Sequence, residues 1–511
     1  IPLTLSKNGK SENYVGIFTG ENRKHSVLHN RAKKAKAPKK EVLRIITLKQ
    51  AIEDINQFKN ILNTNSSYSQ LSEFNYKEAI EKLKQSLKKQ NLNNVNINYL
   101  TNEMAKIMAE IGDRHSSIKN SNFKRKDFKS YNLNLPFGVK GIDNNTIAAV
   151  KYDSVNKKYN YVYNDYPYIK SIHNITTETL LNSYSYRSKK APKAAKLSIG
   201  AFAIERFGEL LFKNNIECPE SVEVIFTNGN KDIKKVIQLT EKRNGYIATL
   251  DLKNYEYSDH LWEKSYDSLT TILNGNIGYI NIPSMQSYRI AEGFEAFIQN
   301  AIQNFSDTKA LIIDVRNNPG GSREILQTFA DYIVQPEQSP WIANVAYLRT
   351  NNTKVIEDKS MNGRYLYTYN SNELTNTDRK AIEQFNKNFK LQKTFDTSKF
   401  SNPFYMVLRN GEKSYSKPIY ILVNESSFSA ATVFTSAFKG LPNVKIVGVT
   451  TDGSSGNSKK LYLLNSSIRV KVSTMLSFQR NGKTLDGNGT TPDIVIPINE
   501  TQAMQNSVDT Q

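Results

Sequence analysis

Residues 420–456 read YILVNESSFSAATVFTSAFKGLPNVKIVGVTTDGSSG. Residues 420–423 are a short apolar run with strand character, and residues 424–427 are a polar turn. Residues 430–438 are small or apolar and suit a helix packed closely on a sheet. Residues 444–449 form a second β-branched run, so the order is strand, sharp turn, helix, strand. Ser429 falls at the start of the helix, beside N–H groups that lack intrahelical partners. A hydroxyl placed there suits an attacking group and its developing oxyanion. Serines at a helix start also serve simply as caps, so the rest of the chain has to decide between the two.

Working outward, residues 276–282 (NIGYINI) and 310–315 (ALIIDV) are strand runs, separated by a helical stretch at 290–302. The loop Arg316-Asn317-Asn318-Pro319-Gly320-Gly321-Ser322 then leads into a helix over 323–333. Paired glycines between a strand and a helix let backbone N–H groups approach a ligand. The spacing is neither GxGxxG nor a Walker pattern, which favours an oxyanion-binding turn over a phosphate loop. Alternating strands and helices predict an α/β core over 251–500 with a long insertion at 336–417 that reads as a rim or lid. In that insertion only 377–389 has a helical pattern. Residues 460–464 and 468–473 form a strand pair.

Upstream, residues 41–130 form an N-terminal helical region. Leu48, Ile52, Ile55, Phe58 and Leu62 recur at helical spacing, as do Ile97, Leu100, Met104, Ile107 and Ile111, with Asn98 or Thr101 near the second helix start. That helix ends at Gly112, and Asp113-Arg114-His115-Ser116-Ser117 follows on a polar turn. Residues 131–250 read as a small β-rich module with strands at 146–150, 168–174, 222–227 and 233–239. It suits acceptance of a peptide by strand addition. Residues 1–40 read as a basic flexible arm, and 501–511 as a polar tail.

Composition narrows the function classes. The chain has 511 residues, enough for about three domains, and no apolar run approaches the roughly 18 residues of a membrane span. One cysteine, Cys218, excludes an internal disulfide and a cysteine-based metal cluster. The five histidines lack metalloprotease spacing, so neither metal nor other cofactor is expected. The net charge of +21 is spread along the chain, and its densest run, residues 31–40 (RAKKAKAPKK), lacks interleaved aromatics. That argues for a solvated arm rather than a specific nucleic-acid surface.

Taken together, LIIDVRNNPGGS at 311–322 resembles the DxRxNxGG signature of the C-terminal processing (tail-specific) serine proteases. VNESSFSAA at 423–431 resembles their nucleophile signature, with Ser429 at the nucleophile position. LDGNGTTPDIVI at 485–496 resembles their closing GxxPD segment. The resemblance implies a ClpP/crotonase-like catalytic core accompanied by the helical region and a PDZ-like module, an α/β multidomain protein of the α+β kind. In one branch of the family a lysine follows the next strand, but Ser454 stands there, with Lys459 and Lys460 several residues later. The tricorn-like branch instead takes a histidine from a GDxH pattern after an N-terminal helix and an acid far downstream. His115 in GDRHSS and Asp486 match those positions, Asp486 replacing a longer glutamate, and Ser116 is the nearest candidate for a helper hydroxyl. The resemblance therefore implies a serine endopeptidase of polypeptide substrates acting outside the cytoplasm. Ser429 would be its nucleophile, His115 its base and Asp486 its orienting acid, with an oxyanion hole from Gly320 or Gly321 and Ala430. Self-association is compatible with it. A catalytically silent relative that binds peptide or lipophilic ligands is the alternative, and an acyl-CoA enzyme of the crotonase fold lacks a visible phosphate site.

Overall fold

The structure, a computed structural model, describes residues 2–7, 10–15, 44–91, 93–143, 145–156, 158–242, 266–350, 353–497 and 499–504. His25, His29 and His260 lie outside the described residues, as does most of the basic arm. The described residues divide into two units, one before residue 43 and one from residue 43 on. In the first, Pro2–Lys7 and Lys10–Val15 pair antiparallel, so this part of the expected flexible arm is a hairpin.

In the second unit, a six-stranded sheet carries the core. Its order is Thr270–Leu273, Ile277–Asn281, Ala310–Asp314, Ile419–Val423, Val444–Gly448 and Ile494–Val495. All neighbours are parallel except the first pair. Central strands of a parallel sheet are covered on both faces and read as unbroken apolar runs, which is why residues 310–315 and 420–423 stand out in the sequence. The helices Phe294–Asn304, Glu324–Ile333 and Ala430–Phe438 follow successive strands, and all nine residues of the last are buried. Ligand sites in such sheets lie at the carboxyl ends of the strands, where the loops after Asp314, Val423 and Gly448 meet.

The region expected to be a rim is instead structural. Trp341–Leu348, Tyr367–Thr368 and Phe404–Leu408 join Met475–Gln479 in an antiparallel four-stranded sheet. Ala343, Phe404, Met406 and Leu408 are buried with the main core. The strands were obscured because their Asn- and Tyr-rich connections dominate the composition, while the helix Asn376–Asn388 lies where its pattern predicts.

The N-terminal helices Leu48–Asn65, Tyr76–Lys89 and Ile97–Glu110 share a buried cluster with Ile468, Val470, Val472 and Phe478. Buried Asp54 accepts the N–H groups of Asn465 (3.0 Å) and Ser466 (2.8 Å), capping the turn between Ser458–Tyr462 and Ile468–Ser473. The β-rich module holds a seven-stranded sheet with the central order Asp232–Gln238, Ser221–Thr227, Tyr168–Ile172, Ile147–Asp153, Gly138–Gly141. The start of the expected polar tail lies in a short helix, Glu500–Met504. Ala503 and Met504 are buried against Ile142, Val150 and Tyr159 of the module, and residues 505–511 lie outside the described residues.

Candidate active site

Ser429 sits at the N-cap of Ala430–Phe438 with φ +54° and ψ −117°, a conformation that side chains rarely adopt. The preceding turn is held against the glycine loop by a set of specific bonds. Asn424 Oδ1 accepts the N–H groups of Asn317 (2.9 Å) and Ser426 (3.1 Å). Ser427 Oγ donates to the Val315 carbonyl (2.8 Å), and the Phe428 N–H donates to the Asn318 carbonyl (2.8 Å). Below the loop, the buried Arg316 guanidinium pairs with Asp314, Nη2 lying 2.6 Å from Oδ2. The strain at Ser429 is therefore sustained by bonds on both sides of the turn.

Both glycines are required by the geometry. A Cβ on Gly320 would lie 2.7 Å from the Ala430 nitrogen and 2.7 Å from Ser429 Cβ, while one on Gly321 would lie 2.1 Å from the Met285 carbonyl oxygen. The Gly320 N–H is occupied by Asn318 Oδ1 at 2.8 Å. Among the described residues, the N–H groups of Gly321 and Ala430 have no protein acceptor.

His115 arrives from a separate layer. Asn96, not Asn98 or Thr101, caps the helix that precedes it, and Gly112 (φ +88°) ends that helix. Just beyond the histidine, Ser117–Asn120 pairs with Ile468–Ser473, fixing the turn on the core. The Asp113 carboxylate accepts the His115 N–H (2.9 Å), and the imidazole stacks on Phe428 with centroids 5.4 Å apart. Nε2 lies 3.4 Å from Ser429 Oγ across 314 residues of sequence. On the other side of the ring, the Gly456 N–H is 3.3 Å from Nδ1, and Asp486 Oδ1 is 3.8 Å away.

The Asp486 carboxylate is fully buried and served by two hydroxyls, Tyr68 (2.8 Å) and Ser455 (2.5 Å), with the Ser455 N–H at 3.4 Å. Burial first, then the charge of Asp486, raise the Tyr68 phenol well above its ordinary value, so it remains a donor. Ser116 is not the helper: its hydroxyl donates to Asp113. Tyr68 gave no sequence signal, lying in a short turn between helices, whereas Ser455 belongs to the 451–456 turn that pattern reading singled out. Arg114 turns away to pair with Asp452 (2.6 Å), which also accepts from Ser454 (2.7 Å). Lys459 and Lys460 are exposed on a strand. Asp113, His115 and Asp486 bring ligand-type atoms within 4.8 Å of one another. Both carboxylates already accept N–H and O–H donors, an arrangement suited to handling protons.

Asp113 carries a pH prediction. Burial, and secondarily the charge of Asp486, push its carboxyl above the usual range. Its proton is bound more tightly in the folded state, so its contribution to stability is complete below the ordinary carboxyl value. That contribution is lost as pH rises through the raised one. The melting temperature of the wild type minus that of Asp113→Asn is therefore expected to shrink as pH rises from about 4 toward neutrality. Thermal scans of both proteins across that range check this; a difference that grows would contradict it.

Residues 276–496 match Peptidase family S41. A probable CtpA-like serine protease of Staphylococcus epidermidis is 24% identical over 283 residues, covering 54% of this chain and 45% of that one. A protein of Chlamydia trachomatis is 25% identical over 275 residues, covering 47% and 45%. The chain thus spans about half the length of the curated relatives it matches. Among solved structures, mature CPAF covers 90% of this chain and 95% of its own, with a TM-score of 0.57 and 15% identity. A serine-to-alanine mutant of CPAF gives a TM-score of 0.60, 15% identity and the same coverage. At such identity these likenesses establish a shared multidomain fold.

Proposed function

We propose that this chain, whose residues 276–496 match Peptidase family S41, is a C-terminal processing protease acting as a serine endopeptidase of polypeptide chains. The single observation that carries the proposal is the approach of His115 Nε2 to within 3.4 Å of Ser429 Oγ, at a strained turn beside N–H groups of Gly321 and Ala430 that have no acceptor among the described residues. Ser429 attacks the scissile carbonyl, and His115 takes its proton and later delivers it to the leaving amine. The N–H groups of Gly321 and Ala430 receive the oxyanion. Gly320 is the weaker candidate because its own N–H is already engaged by Asn318.

Asp486 acts on the far nitrogen of the imidazole. When the Gly456 N–H donates to Nδ1, the histidine proton sits on Nε2, facing Ser429, and the ring is at rest. Base catalysis needs the other tautomer, with Nδ1–H directed at Asp486. Closing the 3.8 Å separation by about 1 Å makes that a hydrogen bond, an adjustment typical of sites without substrate. The shorter aspartate reaches because Tyr68 and Ser455 hold its carboxylate forward, a support role for hydroxyls. Action outside the cytoplasm belongs to the same proposal and rests on the family alone; among the described residues no helix is long and apolar enough to cross a membrane.

The test is labelling with a serine-directed fluorophosphonate, followed by mass-spectrometric mapping and an assay on an unfolded protein such as casein. The label is expected on Ser429, with hydrolysis retained in Lys459→Ala and Lys460→Ala. Loss of hydrolysis in either lysine variant would reassign the base. No labelling and no hydrolysis would favour the ligand-binding alternative.

A further inference from the structure

The three-stranded sheet of Ser458–Tyr462, Ile468–Ser473 and Ser117–Asn120 has two unlike faces. Ile118, Val470 and Val472 point into the buried cluster shared with the N-terminal helices. Alternation therefore turns Lys460 and Tyr462, Arg469 and Lys471, and Lys119 to the opposite face. The register sets Lys119 directly opposite Arg469, and Lys460 directly opposite Lys471. Like charges so placed destabilise a sheet. Among the described residues none of these four cations has an ion pair or a side-chain hydrogen bond, and the buried Arg469 Nε has no partner. Burial, then the charges of Arg187 and Arg469, lower the Lys119 ammonium. Burial also lowers Lys471; the Asp113 carboxylate opposes that shift and Lys460 adds to it.

The tip of the hairpin adds an apolar element. Leu464 continues the outward alternation of Lys460 and Tyr462 and is 83% exposed, with Tyr462 56% exposed, whereas Leu463 between them is buried. This exposure belongs to a fixed turn. The Leu464 N–H donates to Gln57 Oε1 (2.9 Å), Gln57 Nε2 donates to the Tyr462 carbonyl (3.3 Å), and Asp54 accepts the next two N–H groups. Glu53, an exposed acid at the tip, accepts from Asn465 Nδ2 (3.3 Å). A held, solvent-facing leucine with unpaired cations behind it matches an interfacial membrane contact, apolar at its leading edge and basic at headgroup depth. A nucleic acid would answer the cations but leave the leucine in water.

We propose that this face is a docking surface for an anionic lipid membrane. Leu464 enters the acyl boundary, Tyr462 lies at headgroup level, and Lys460, Arg469, Lys471 and Lys119 face the lipid phosphates. The surface stands apart from the peptidase reading but shares a sheet with the candidate active site. Ser473 donates its N–H to Ser116 Oγ (3.0 Å) beside His115, and its strand runs from there to the tip, roughly 17 Å over five residue steps.

The test is vesicle binding by the full chain, read by sedimentation. Binding to vesicles of equimolar phosphatidylcholine and phosphatidylglycerol is expected to be at least about tenfold tighter than to pure phosphatidylcholine, the gap closing at high salt. Leu464→Ser should weaken it about tenfold and Lys460→Gln about fivefold. Both positions are exposed, so neither variant should lose its fold. In Leu464→Trp, the fluorescence added over the wild type should shift to the blue on the anionic vesicles. Absence of binding to those vesicles would overturn the proposal. So would binding that both substitutions leave unchanged, which would assign the affinity to the basic run at residues 31–40. A single-stranded oligonucleotide is titrated in parallel. If it bound more tightly than the vesicles, and Lys460→Gln but not Leu464→Ser weakened it, the face would be a nucleic-acid surface instead.

Discussion

Replacing Ser429 with alanine is expected to lower kcat/KM on an unfolded protein substrate by about 10⁴-fold or more, with His115→Ala giving a loss of similar size. The two effects should not add, because a hydroxyl without its base and a base without its hydroxyl are disabled at the same step. The folded protein should be little affected. Ser429 has φ +54°, and alanine at that position meets the same backbone penalty, so no strain is relieved. Its Oγ contributes one long contact of 3.4 Å to His115, and the bonds that hold the turn come from Asn424, Ser427 and Phe428. Unfolding free energy should therefore change by less than about 1 kcal/mol. Wild-type turnover in either variant, measured after removal of contaminating proteases, would eliminate the assignment. A double variant much slower than both single variants would show that the two residues act separately.

Gly320→Ala is expected to be among the most damaging single methyl groups that can be added near the site. The new Cβ would lie 2.6 Å from the Phe428 carbonyl oxygen and 2.7 Å from the Ala430 nitrogen, and these are backbone atoms that cannot rotate away. Relief requires the glycine loop and the serine turn to separate, which pulls the Gly321 and Ala430 N–H groups off their common target. Loss of one oxyanion donor costs about 10²–10³ in kcat, and this change disturbs both. Stability should fall as well, since alanine at φ +84° adds about 1–3 kcal/mol of strain before any clash. Gly293→Ala separates the two causes. Gly293 also has positive φ (+78°), but nothing lies within 4 Å of its added Cβ. That variant should show the stability loss of about 1 kcal/mol or more without the loss of turnover. Equal kcat/KM for Gly320→Ala and wild type would remove the glycine loop from the oxyanion role.

Local pattern made much of the molecule legible. The buried parallel strands Ala310–Asp314, Ile419–Val423 and Val444–Gly448 are continuous apolar runs, and such runs need no knowledge of their partners to be recognised. The glycine pair at 320–321 declared itself because residues without Cβ, set between a strand and a helix, imply a close backbone approach. The helical region before His115 was legible from its spacing. By contrast, the strands Trp341–Leu348 and Phe404–Leu408 were hidden within an Asn- and Tyr-rich stretch, since an antiparallel pairing is fixed by a partner far along the chain. The tail at 500–504 looked polar because its two buried residues, Ala503 and Met504, are too few to make a pattern.

The sequence by itself determined the strand, turn and helix around Ser429, the glycine loop that partners them and the absence of a lysine at Ser454, all set by residues adjacent along the chain. His115 was named by resemblance, but its approach to Ser429 was decided by the tertiary structure, in which strand pairing of Ser117–Asn120 with Ile468–Ser473 delivers it across 314 residues. It alone also decided that Tyr68 and Ser455, rather than Ser116, support Asp486. Hydrogen bonds of about 3 Å depend on how separate layers pack, and no spacing within one segment encodes that distance.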